Sequence, residues 1–323
     1  MNKKKILVLI FSFITLLLLL CCCITLFFGE SLSKNLDTSM DEKVLKDGSP
    51  DQGVAVIRIE GIISSQGQTD FLGNETPDMT STTIRKIEKA KNDPNIKAVL
   101  LEVDSPGGEA YASKLIYNKL LELKEADKKL VVLMKSTAAS GGYLISAPAD
   151  HIVASSMTTT GSLGVIVTGT DFEGLYQKLG ITEFHVVNSQ GNLKLLEGLD
   201  NKESESYKVL QSILDDVYDD FVSIVAQGRG LTVEETKKIA DGRIYSGKQA
   251  KDLGLVDSIG ELDAAEDAIK ATASLDEPNY VLYEDKTDSF SLYSLSLKRL
   301  IFPELATLEE KQPGLSIQYL MKI

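Results

Sequence analysis

The rhythm of apolar and polar positions changes several times along this chain. Residues 6–28 are apolar, with no charge and no proline. Residues 29–52 are polar, with few bulky apolar side chains. From there on, short β-branched apolar runs recur at 54–59, 98–103, 130–134, 152–154, 165–167 and 184–187. Runs of that kind predict strands buried on both faces. Between them the apolar positions fall at every third or fourth residue, which predicts helices over 80–91, 109–126 and 171–179. In the second of these, Ala112, Leu115, Ile116, Leu120 and Leu123 share one face. Strands alternating with helices predict an α/β fold with a largely parallel sheet. Past residue 200 the strands are expected to stop. Tyr207, Leu210, Leu214, Val217, Phe221 and Ile224 recur at intervals of three and four, a long amphipathic helix ending near Gly228-Arg229-Gly230. Shorter helices are expected over 232–240 and 261–273, and the tail beyond 277 shows no clear pattern.

The first apolar run is a separate object. A helix over 6–28 spans about 34 Å, enough for a bilayer core of about 30 Å. Lys3, Lys4 and Lys5 precede it, so residues 1–5 are expected in the cytoplasm and the body of the chain outside the cell. A cleaved signal peptide would have a shorter apolar region and a small-x-small site, whereas this run ends in Phe27-Phe28-Gly29-Glu30. The expected organisation is a single-pass cell-membrane anchor at 6–28, a linker at 29–52, a folded domain at 53–275 and a tail at 276–323.

Composition narrows the chemistry. Cys21, Cys22 and Cys23 all lie in the apolar run, so the exported part has no disulfide, thiol nucleophile or thiolate metal site. The net charge is -13, and past residue 28 the acidic body has no basic run, which argues against a nucleic-acid partner. No Gly-x-x-x-x-Gly-Lys phosphate loop is present. The two histidines, His151 and His185, sit in or beside predicted strands, which is poor ground for a metal site or a histidine base.

Three glycine-marked stretches remain: Asp104-Ser105-Pro106-Gly107-Gly108, Ser136-Thr137-Ala138-Ala139-Ser140-Gly141-Gly142-Tyr143, and Thr160-Gly161-Ser162-Leu163-Gly164-Val165. The first two come directly after predicted parallel strands, and open α/β sheets place their sites at the carboxyl ends of such strands. Glycine lets backbone N–H groups approach a ligand, and a helix start adds positive potential. Such loops can stabilise an oxyanion; each taken alone reads first as a plain turn. A serine nucleophile also needs a base, and without a useful histidine the common alternative is a neutral lysine. An exposed lysine, pKa about 10.4, is neutral in roughly one molecule in 2,500 at pH 7. Burial lowers that pKa, so a lysine base demands a dry pocket. The residues themselves do not choose among the 34 lysines and arginines.

Taken together, Ser-Pro-Gly-Gly at 105–108, Ala-Ala-Ser-Gly-Gly-Tyr at 138–143, Thr-Gly-Ser-Leu-Gly-Val at 160–165 and Gly-x-x-Lys at 191–194 resemble the signal peptide peptidase A family in its short Gram-positive form. The stretch Ala-Asp-Gly-Arg-Ile-Tyr-Ser-Gly-Lys-Gln-Ala at 240–250 and Leu-Gly-Leu-Val-Asp at 253–257 resemble that family's C-terminal signature. The resemblance covers about 53–275. It implies a ClpP/crotonase-like α/β fold of stacked ββα units with a C-terminal helical region, and a serine endopeptidase with a Ser-Lys dyad. By position it implies Ser140 as nucleophile, Lys194 as general base, Ser162 as the hydroxyl that orients the lysine, and the N–H groups of Gly108 and Gly141 as oxyanion hole. The same resemblance implies peptide substrates, remnant signal peptides at the membrane, and a homo-oligomeric ring with sites shared between subunits. No metal or organic cofactor is implied. Two departures stand out. Lys194 is followed by Leu195-Leu196-Glu197-Gly198 where the family commonly has Asp and a polar segment, which leaves Lys202 as the second candidate base. Asp104 stands where Asn is usual. The rival reading is a catalytically idle peptide-binding or immunity scaffold of the same fold.

Overall fold

A computed structural model describes residues 40–69, 75–76, 78–182, 184, 199–285 and 316–320. Two compact units divide the chain, Met1–Asp41 with Glu284–Ser296 and Glu42–Tyr283 with Leu297–Ile323. The first contributes only residues 40, 41, 284 and 285 to the described part. The strands are β1 (Asp41–Lys46), β2 (Ser49–Glu60), β3 (Gln68–Thr69), β4 (Glu75–Thr76), β5 (Ile96–Ser105), β6 (Gly107–Glu109), β7 (Lys129–Ala139), β8 (His151–Ala154), β9 (Thr159–Gly161), β10 (Ile166–Thr168), β11 (Ile244–Ser246), β12 (Ser258–Ile259), β13 (Pro278–Glu284) and β14 (Ser316–Leu320). The helices are α1 (Met79–Asn92), α2 (Ala110–Glu125), α3 (Gly141–Ser146), α4 (Glu173–Leu179), α5 (Glu205–Arg229), α6 (Val233–Ile239), α7 (Gly247–Asp252) and α8 (Leu262–Ala273).

The main sheet runs β1-β13-β2-β5-β7-β8-β12, with β9 beside the end of β7 and β11 beside β9. Strands β2, β5, β7 and β8 are mutually parallel. Their continuous apolar runs are explained by burial on both faces. Val54, Val56, Ala98, Leu100, Val131, Leu133 and Val153 turn onto Ala265, Ala268 and Ile269 of α8. The alternate residues Ala55, Ile57, Val99, Leu101 and Val132 are equally buried and turn the other way. On that side α1 packs against β2 and α2 against β7. In α2, Ala112, Ile116, Leu120 and Leu123 are fully buried, as their spacing requires. The long helix α5 starts at Ser204, whose side chain accepts the Tyr207 N–H, and ends at Gly230 in the left-handed region.

Several expectations need correction. Strands do not stop at residue 200: β11, β12 and β13 all join the main sheet. The run Tyr280-Val281-Leu282-Tyr283 in β13 pairs parallel to β2. It reads as tail because sequence distance hides its partner, while β11 and β12 are too short to show a period. The segment expected as linker, 29–52, contains β1 and the first residues of β2. The run 165–167 forms β10, which lies outside the main sheet, pairs antiparallel to β14 and is only half-buried. Phe184 is 86% exposed and lies in no strand; residues 185–187 are outside the described residues. The expected span at 6–28 also lies outside them. Among the described residues no helix is long and apolar enough to cross a membrane.

Candidate active site

The end of β7 is irregular, and the irregularity shapes the site. Val103 of β5 pairs with Met134 of β7, but Ser105 pairs with Ala138. Three residues, Lys135, Ser136 and Thr137, therefore oppose Asp104 alone. A bulge of this kind bends its strand and re-aims the residues after it. The hydroxyl of Thr158 donates to the Lys135 carbonyl at 2.6 Å, and the Asp104 carboxylate accepts the Thr137 N–H at 2.9 Å. Beyond the bulge β7 pairs parallel to β9, Ala138 with Thr160 and Ala139 with Gly161. Ser140 and Ser162 each lie one residue past that last pair, so the two serines leave neighbouring strands at the same edge.

Ser140 is the turn between β7 and α3. Its backbone is held at φ 53 and ψ -116, and its N–H donates to the Gly161 carbonyl at 2.8 Å. Ser162 has φ 51, and its N–H donates to the Arg243 carbonyl at 2.8 Å. A non-glycine residue with positive φ costs of the order of 1–3 kcal/mol and persists only where its surroundings over-determine it. The other two such residues among those described, Asp127 and Ser274, close helices at ordinary turns. Ser140 is 1% exposed, and its Oγ is buried with no hydrogen-bond partner among the described residues. Buried hydroxyls are nearly always satisfied; among the described residues those of Tyr280 and Tyr283 are also without a partner, but Ser140 alone of the three joins this to a strained backbone.

Gly141 opens α3, where the first N–H groups of a helix have no intrahelical acceptor. Gly142 lies flush on the end of β5: a Cβ there would stand 2.6 Å from the Ser105 carbonyl oxygen. Gly108 is closer still to its neighbour, with a Cβ position 2.0 Å from the Ile63 oxygen. Ile63 donates to the Gly107 carbonyl and accepts from the Glu109 N–H, at 2.9 and 2.8 Å. Groups alternate along a strand, so the N–H of Gly108 faces away from Ile63, toward the opposite edge of β6. On that edge lies β14, antiparallel, with Tyr319 beside Gly108 and Leu320 beside Gly107. On its other side β14 pairs antiparallel to β10. The sequence reading missed this strand, although Ser316-Ile317-Gln318-Tyr319 alternates polar and apolar as a strand does. Gly108→Ala is expected to lower activity and stability together, because neither backbone oxygen nor β6 can yield the missing space; thermal melting and peptide hydrolysis check it.

The structure thus brings Ser140, Gly141, Ser162 and the strand carrying Gly108 to one end of the sheet. Lys194 lies outside the described residues. Lys202 is exposed, in the turn before α5. His151 is occupied elsewhere, its Nε2 2.8 Å from Ser258 Oγ, and His185 is outside the described residues. Tyr143, fully buried, donates its hydroxyl to the Leu255 carbonyl at 2.8 Å, and burial raises its pKa. It is a packing residue that ties α3 to the segment before β12.

Residues 122–276 match Peptidase family S49. A candidate signal peptide peptidase SppA of Enterococcus faecium is 37% identical over 77% of this chain and 72% of its own length. The chain belongs to peptidase family S49. The family stretch contains the Ser140 and Ser162 turns and Lys194, and begins after Gly108. Protease 4 of Haemophilus influenzae is 36% identical over 66% of this S49 chain, which spans only 33% of that longer protein. Among solved structures, a ClpP1 mutant of Listeria monocytogenes superposes on 65% of this chain and 93% of its own, with a TM-score of 0.42 and 15% identity.

Proposed function

We propose that this member of family S49 is a membrane-anchored serine endopeptidase that cleaves extended apolar peptides, remnant signal peptides among them. The observation that carries the reading is the Ser140 hydroxyl, buried, without a hydrogen-bond partner among the described residues, and held on a strained turn. In the proposed reaction Oγ of Ser140 attacks the peptide carbonyl while its proton passes to neutral Lys194, oriented by Ser162. The N–H groups of Gly108 and Gly141 stabilise the tetrahedral oxyanion. The C–N bond breaks as Lys194 returns the proton to the leaving amine, and water then releases the acyl group by the same route. The placement of β14 supports the substrate class, since an extended peptide taking its position would bond to β6 on one edge and β10 on the other. The apolar run at 6–28 and the three lysines before it support an anchor with the catalytic domain outside the cell. The test is digestion of casein or a synthetic signal peptide by the full chain in detergent micelles, with fluorophosphonate labelling alongside. An unlabelled chain that binds but does not cleave peptide would support the idle scaffold instead.

The same reading includes an oligomer whose sites are shared between subunits. The apolar stripe of α5 supports it: Phe221 and Ile224 are buried, but Tyr207, Leu210, Leu214 and Val217 nearer the start are only half-buried, and Val209 and Ile213 beside them are exposed. In and beside α4, Phe172, Leu175, Leu179 and Ile181 are also exposed, and no residue of that helix is fully buried. Mixing inactive Ser140→Ala subunits with inactive Lys194→Ala subunits is expected to restore part of the activity. No recovery under conditions of demonstrated subunit exchange would place serine and lysine in one chain.

A further inference from the structure

We infer that Asp104 is a positioning residue that locks the Ser140 turn and the Gly107-Gly108 strand into one geometry. The inference rests on the reading of Ser140 as nucleophile. Asp104 is where both halves of the site are tied. Its main-chain carbonyl accepts the Gly61 N–H at 2.9 Å, extending the β2–β5 pairing into the loop that carries Ile63. That loop in turn backs β6 and sets the direction of the Gly108 N–H. The side chain of Asp104 reaches across to β7 and accepts the Thr137 N–H, three residues before Ser140. The bulge opposite Asp104 takes Thr137 out of register with β5. Without an acceptor a half-buried N–H is destabilising, and the bulge would relax to recover a partner. The carbonyl side of the same bulge is already held by Thr158. The Asp104 side chain supplies the matching donor-side tie to the strand before Ser140, next to the main-chain carbonyl that holds the loop behind Gly108. Ser105, next in sequence, is buried under Gly142, so any shift of β7 against β5 moves the Ser140 turn relative to the proposed oxyanion donors.

Geometry of this sort acts on the transition state more than on ground-state binding. A misplacement of about 1 Å costs about 100-fold in rate. Asp104→Ala is therefore expected to lower kcat by about 30-fold with KM within about twofold, intermediate to that limit. What Thr137 needs is an acceptor and not a charge, so Asp104→Asn should recover most of the loss. The measurement is hydrolysis of a fluorogenic peptide by the full chain in micelles, with rates expressed per site titrated by a fluorophosphonate. A purely structural role would reduce the number of titrated sites and leave kcat per site unchanged, which would overturn the inference. So would Asp104→Asn behaving no better than Asp104→Ala. If Asp104→Ala does not fold, Asp104→Ser, whose hydroxyl is too short to reach Thr137, takes its place with the same expectation. A wild-type chain that neither labels nor cleaves would remove the nucleophile reading first, and this inference with it.

Discussion

Ser140→Ala is expected to fold normally and to hydrolyse no peptide. The loss should exceed about 10⁴-fold, as when a peptidase loses its nucleophile and keeps only its binding and oxyanion groups. Stability should change by less than about 1 kcal/mol, because the Oγ removed makes no hydrogen bond within the described residues and no partner is left stranded. The strained φ 53 stays, since alanine has the same Cβ as serine. Thermal melting, fluorophosphonate labelling and casein digestion on the same preparation check all three statements. A purified Ser140→Ala protein that still digests casein would remove Ser140 from the mechanism, whatever the geometry of its turn.

Replacing Lys194 should be nearly as severe. A lysine base works only when unprotonated, so activity should rise with pH through the acid-to-neutral range and hold into mildly alkaline conditions. The sign comes from the proton itself: lowering the pH fills the acceptor that must take the Ser140 proton. Lys194→Arg should be as inactive as Lys194→Ala, because a guanidinium keeps its proton at any usable pH. Lys202→Ala should retain activity, Lys202 being an exposed side chain in the turn before α5. The opposite pattern, with Lys202→Ala inactive and Lys194→Ala active, would move the base to Lys202. A flat pH profile between acid and neutral would argue against any lysine base.

Much of the fold was legible beforehand. The runs at 54–59, 98–103, 130–134 and 152–154 became β2, β5, β7 and β8, and the helices at 80–91, 109–126, 232–240 and 261–273 formed within two residues of their expected ends. A strand buried on both faces has no room for a polar side chain, and a helix packed on a sheet must present one apolar face. Both requirements leave marks within a dozen residues of sequence. The glycine-marked stretches were legible for the same reason: a close backbone approach needs glycine where it occurs, and Gly108 and Gly142 meet backbone oxygens at distances no Cβ tolerates.

Pairing between distant segments leaves no such local mark. Short stretches of the chain were enough to specify the α/β class, the buried parallel strands and the loops rich in serine and glycine. Assembly of the sheet was needed to bring β13 onto β2, to lay β14 along β6, and to have Ile63 turn the Gly108 N–H to the edge of β6 that β14 lines. Assembly also produced the bulge at 135–137, answered by Asp104, that leads into the strained turn at Ser140. The physical reason is common to all of these. Hydrophobic periodicity reports how much of each residue is buried, whereas strand partner, register and hydrogen-bond direction depend on which remote backbone groups are free to meet, and that is settled only when the whole sheet forms.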